Sequence, residues 1–96
     1  MYARIVTVHA QTARLDEVIA IYRDSIVPAV RQQKGFLGAR LFTDRATGKG
    51  VSVTRWQSKE DLEAGEASGF YQEQIAKIAP MLTQPPVREA YEISVD

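Results

Sequence analysis

Trp56, Arg40, Arg55 and three tyrosines are the side chains of this 96-residue chain best suited to chemistry. Trp56 is the single tryptophan and ends a run of β-formers. An indole there makes a flat apolar wall able to orient a planar ligand. The competing reading, which a lone tryptophan in a short chain favours, is a core residue whose N–H is satisfied nearby. Arg40 and Arg55 fall in strand-like segments. A guanidinium stays charged and binds two oxygens at once, which suits an oxyanion or a phenolate. The competing reading is a strand-edge arginine reaching out to water. Tyr22, Tyr71 and Tyr91 are candidate hydrogen-bond donors to such a ligand, or amphipathic core side chains. His9 is the only histidine, and one imidazole with no partner at ligand spacing makes no metal site.

Other chemistries lack their patterns. The glycines form no G-x-G-x-x-G, so a dinucleotide fingerprint is missing. The Thr47–Gly50 fragment, T-G-K-G, lies in a hairpin and lacks the strand–loop–helix context of a phosphate loop. No G-x-S-x-G elbow supports a nucleophilic serine. The chain has no cysteine, which removes disulfides and thiolate metal sites. Neither a metal nor a flavin is expected to accompany the protein.

The formal net charge is zero, yet residues 1–57 carry nine Lys/Arg against four Asp/Glu, and residues 58–96 carry three against eight. The basic residues are scattered singly, without the clustering beside aromatics that a nucleic-acid groove requires. The acidic half reads as solvated helix faces. No apolar run approaches the ~18 residues of a membrane span. A strand pattern begins at residue 2, so a cytoplasmic protein is expected.

These side chains need elements to position them, and one domain spanning residues 1–96 is all the length supports. Tyr2 to Ala10 reads as a first strand. Thr12 is a plausible N-cap for a helix with the apolar stripe Leu15, Val18, Ile19, Tyr22, Ile26 and Val30. Pro28 should kink or end that helix within a turn, and Gly35 supplies its stop. Phe36 to Thr43 and Val51 to Trp56 read as a hairpin around the loop 44–50. Ser58 followed by Asp61 resembles a capping box that opens a short helix. Gly65 weakens this helix and Ser68-Gly69 breaks it. A second segment runs from Phe70 to Met81, and Val87 to Val95 is the last strand. The order is β-α-β-β-α-β, a ferredoxin-like α+β fold with both helices on one face of a four-stranded antiparallel sheet.

The hairpin strands look apolar on both sides. Phe36 and Phe42 are expected on one face with Leu37 and Leu41 on the other, and Val51 and Val53 oppose Trp56. A sheet with one buried face would alternate apolar with polar. The helices cover one face, so a second copy of the sheet, packed at ~10 Å, is the simplest cover for the other. A homodimer through the sheet faces follows.

A resemblance to a known family rests on three motifs. They are P-A-V-x-x-x-K-G-F from Pro28 to Phe36, D-R-x-T-G-K from Asp44 to Lys49, and V-x-x-W-x-S-x-E-D from Val53 to Asp61. In order and spacing, nearly the whole chain resembles the antibiotic biosynthesis monooxygenases, small dimeric α+β barrels. The resemblance implies a pocket between each sheet and its helices. In it some members oxygenate polycyclic phenols or quinols without metal or flavin, while others degrade heme. The family commonly has Trp at the place of Trp56. With Arg40 read from its strand position, Trp56 and Arg40 are the candidate catalytic residues, and Tyr22, Phe42, Phe70 and Tyr71 the candidate substrate-lining residues. The heme-degrading members carry a helix histidine about ten residues after the strand tryptophan and an asparagine on the first strand. Here Glu66 and, roughly, Val6 hold those places, and the chain has no asparagine. Heme degradation by that route is therefore not expected. Three readings follow: a cofactor-independent monooxygenase of a small aromatic substrate, a non-catalytic ligand-binding barrel, and a structural dimer.

Overall fold

Alternation in Y-A-R-I-V-T-V-H places Val6 and Val8 on one side of β1 (Tyr2–His9) and Ile5 and Thr7 on the other. In the computed structural model, which describes residues 1–96, β1 occupies an inner position of the sheet. β2 (Phe36–Asp44), β3 (Lys49–Trp56) and β4 (Val87–Glu92) complete it in the order β2-β3-β1-β4, antiparallel throughout. This is the ferredoxin-like arrangement expected from the element order.

The first helical segment begins with a 3-10 turn at Thr12–Arg14 and continues as α1 (Leu15–Ile21). Thr12 does not cap it: Gln11 precedes the turn, and no side chain there bonds the free N–H groups. The helix widens into a π turn at Tyr22–Ile26 and tightens again as α2 (Val27–Val30). Pro28 follows the π turn, and its ring would otherwise crowd the carbonyl four residues back. The helix ends two residues later at Val30.

Gly35 turns the chain into β2 with φ +81°, and a Cβ there would lie 2.1 Å from Asp61 Oδ2. α3 (Lys59–Ala67) starts at Ser58, whose Oγ accepts the Asp61 N–H at 3.1 Å. It stops at Gly69, which takes φ +85°, and α4 (Phe70–Ala76) begins immediately. The interruption read from Ser68-Gly69 is thus a left-handed glycine between two short helices.

The core lies between helices and sheet: Val6, Val8 and Trp56 from the strands pack on Leu15, Val18, Ile26, Val30 and Leu62. The opposite face has no cover in the protomer. Its apolar side chains include Ile5, Val51 and Val53, partly buried, and Phe42, Val87 and Tyr91, more than half exposed.

Within β2, the expected sidedness fails. A bulge falls between Phe36 and Gly38, so that Phe36 pairs with Trp56 while Gly38 pairs with Arg55. The extra residue reverses the alternation. Phe36 therefore faces the helices with Leu41, whereas Phe42 faces away with Val51.

Candidate functional site

Beneath the helices lies an apolar cavity of about 70 Å³. Val6, Val8, Thr54 and Trp56 line it from the sheet, Tyr22, Ile26 and Val30 from the first helix, and Phe70, Tyr71 and Ile75 from α4. The π turn carries two of these, Tyr22 and Ile26. Such turns recur at functional sites because they re-aim side chains that a regular helix would stack in line.

Four of the six sequence-derived site residues meet here. Trp56, only 2% exposed, donates its indole N–H to Thr54 Oγ1 at 3.0 Å. Phe36 packs edge-on against its ring at 5.7 Å. Tyr22 Oη shares a 2.8 Å hydrogen bond with Ser52 Oγ. Burial raises the Tyr22 pKa, opposed by the Ser52 hydrogen bond. Burial raises that of Tyr71 as well, against the Coulombic pull of Arg88 and Arg4. Both phenols are therefore neutral donors at ordinary pH. Phe70 and Tyr71 close the side nearest Gly65.

Arg40 and Phe42 do not belong to this group. The bulge and the pleat set both on the open face, exposed and away from the cavity. Arg55 shares that face, its guanidinium lying over Gly38. No arginine of the hairpin can touch a ligand under the protomer's own helices. Tyr91 is also on the open face, hydrogen-bonded to Glu89. His9 sits at the sheet end, where its carbonyl accepts the Thr83 N–H at 2.8 Å.

The arginine that does line the cavity is Arg4. It is 6% exposed, and both of its hydrogen bonds run through Nη2, to Leu62 O at 2.6 Å and Glu66 Oε2 at 3.1 Å. Its guanidinium lies 5.6 Å from the Trp56 ring centre and 4.8 Å from that of Tyr71. Arg88 stands 5.0 Å from the same Tyr71 ring and reaches Glu66 at 3.4 Å. The sequence held a signal for this. Arg4 shares the parity of Val6 and Val8, so an alternating strand must bury it with them.

No histidine, aspartate or glutamate lines the cavity. No group of three such residues is placed to hold a metal ion anywhere in the chain. The polar lining consists of Arg4, Tyr22, Ser52, Thr54, Tyr71 and Gln74. These groups can donate hydrogen bonds to an oxygen on a flat ligand, but none is an ordinary general base.

Gly65 forms part of the wall, and a Cβ built there would meet Arg4 Nη2 and Phe70 Cδ2 at 3.9 Å, ordinary contact distance. Gly65→Ala is expected to stabilise α3 by about 0.5–1 kcal/mol through the lost flexibility of glycine. The same methyl narrows the cavity and should weaken any ligand held there. Thermal unfolding and ligand titration on one preparation would show the two effects moving in opposite directions.

Comparison with known proteins agrees with this architecture. The family profile described as Antibiotic biosynthesis monooxygenase matches residues 1–77. The uncharacterised protein Rv2557 of Mycobacterium tuberculosis is 32% identical over 98 aligned positions, covering 98% of this chain and 41% of the relative. The chain thus spans about two fifths of the length of the curated relatives it matches. Among solved structures, the monooxygenase of the ActVA-Orf6 gene of Streptomyces coelicolor, in complex with nanaomycin D, superposes with a TM-score of 0.77. It is 18% identical, with 99% of this chain and 88% of that chain covered. Rv0793 of M. tuberculosis superposes with a TM-score of 0.76 at 18% identity, covering 99% and 96%. At these identities the structural likenesses show the fold alone.

Proposed function

The chain belongs to the antibiotic biosynthesis monooxygenase family, and on that premise we propose that its cavity binds a small aromatic compound of the phenol or quinol type and directs its oxygenation by dioxygen. The observation that carries this reading is the apolar cavity walled by Trp56, Phe70 and Tyr71, with a few polar groups in its lining. That combination is what a site for a flat, weakly polar ligand requires. The reaction balances without an outside reductant. One oxygen atom enters the ring as a carbonyl and the other leaves as water, while the phenol's own C–H and O–H bonds supply both electrons and both protons. The chain would contribute orientation, exclusion of water and stabilisation of the phenolate. No metal or flavin is invoked.

The cavity's lack of a carboxylate or imidazole favours a second reading, in which the same pocket binds its ligand without turning it over. Oxygen uptake separates the two. A panel of hydroxyquinones and simple phenols should give protein-dependent consumption with quinone and water as products under the first. Binding without consumption supports the second.

We also propose a homodimer joined through the open faces of the two sheets. Its support is the exposure of Phe42, Val87 and Tyr91 beside Ile5, Val51 and Val53 on a face no helix covers. Apolar side chains gathered on one uncovered face are the kind of surface that marks an interaction site. No helix is long and apolar enough to cross a membrane.

A further inference from the structure

Arg4 is a buried cation with incomplete compensation. A buried guanidinium is costly unless it is paired and its donors are satisfied. Glu66 is the only carboxylate bound to it, and Glu66 is divided between Arg4 and Arg88. The cluster of Arg4, Arg88 and Glu66 therefore carries one positive charge in excess. Tyr71, whose ring lies within about 5 Å of both guanidiniums, is neutral and adds no negative charge. Arg4 Nε is the one buried side-chain polar atom in the chain without a hydrogen-bond partner. Such orphaned groups are rare in folded proteins and point to a missing partner. The residue holding it lines the cavity and lies against the rings of Trp56 and Tyr71.

We propose that Arg4 is the anion anchor of the cavity, and that its ligand is a single-ring aromatic bearing one ionised oxygen, a phenolate or a carboxylate. The ligand's negative charge balances the cluster, and its ring lies among the aromatic side chains. Size sets the ring count. The cavity, at about 70 Å³, is roughly half the ~150 Å³ engineered cavity that accepts benzene. Modest movement of the lining admits one ring, whereas fused rings demand that a helix shift. Ionisation also answers the absence of a base. A phenolate needs no base for its O–H, and its ring C–H proton leaves with the departing oxygen as hydroxide, so the site has only charge to stabilise. This inference rests on the aromatic-ligand reading above.

The test uses 4-nitrophenol, which ionises near neutral pH with a visible absorbance change, together with benzoate and nitrobenzene. Wild-type protein should bind 4-nitrophenolate at least about tenfold more tightly than nitrobenzene, lowering the apparent pKa of the bound phenol by about one unit. Preference for 4-nitrophenolate over benzoate identifies a phenolate site, and the reverse a carboxylate site. Arg4→Met, which keeps the length and removes the charge, should abolish the preference for the anion while retaining nitrobenzene binding. Equal affinity of wild type for charged and neutral probes would overturn the anchor and leave the aromatic cavity standing. A preference that survives in Arg4→Met would overturn it too. Failure of all three probes to bind would overturn both readings together. Should Arg4→Met not fold, the Arg4 Nε–H resonance of the wild type decides. It should move on adding 4-nitrophenolate and stay with nitrobenzene, and an unmoved resonance with both contradicts the proposal.

Discussion

Trp56→Ala is expected to lower stability by about 3–5 kcal/mol and to abolish binding of planar ligands. The side chain is 2% exposed, stacks edge-on with Phe36, and carries the Arg4 guanidinium over its ring. Removing it leaves a void that the rigid strand β3 cannot fill and strips Arg4 of an aromatic neighbour. A domain of this size has on the order of 5–15 kcal/mol in total, so the variant should unfold well below the wild-type midpoint in urea. Trp56→Phe separates packing from function. It keeps an aromatic ring but loses the N–H donated to Thr54, at a cost of about 1 kcal/mol. If ligand binding and turnover are both unchanged in Trp56→Phe, the indole acts as core alone.

If the protein forms the proposed sheet-face dimer, Ile5→Asp is expected to convert it to monomer without unfolding the protomer. Ile5 stands on the inner strand of the open face, between Val53 of β3 and Glu89 of β4. In the protomer that face meets water, so an aspartate there stays solvated. In the dimer its charge would be buried against apolar partners and beside Glu89, a heavy penalty. Sedimentation at micromolar concentration should show wild type near twice the mass of the 10.7 kDa chain and Ile5→Asp near one. A wild type that sediments as one chain would contradict the dimer.

Much of this architecture is legible from residue spacing. Leu15, Val18, Ile26 and Val30 recur at helical intervals and are buried. Gly69 sits at a break that only a left-handed residue could make so sharply. What spacing alone does not give is the bulge at Phe36–Gly38, because it arises from how β2 fits against β3 rather than from residues local to it. That one extra residue moved Phe42 and Arg40 to the far side of the sheet. Thr12 is a similar case. Its capping chemistry was available, but Ala10 and Gln11 are tied to Gly48 and Met81, and the chain enters its helix through a 3-10 turn instead. Arg4 is legible only in part. Its parity with Val6 and Val8 places it on the covered face, but the groups that satisfy it there, Leu62 O and the Glu66 carboxylate, lie on a helix far along the chain and leave no local mark.

The account depends on a planar aromatic compound occupying the cavity beside Trp56, and the chain's single tryptophan makes its emission a one-site reporter. Titration with 4-nitrophenol should quench Trp56 fluorescence saturably, with one ligand per chain, and the quench should weaken in Gly65→Ala. A linear, non-saturating response up to the solubility of this compound and of every other planar phenol tried would contradict the cavity as a ligand site.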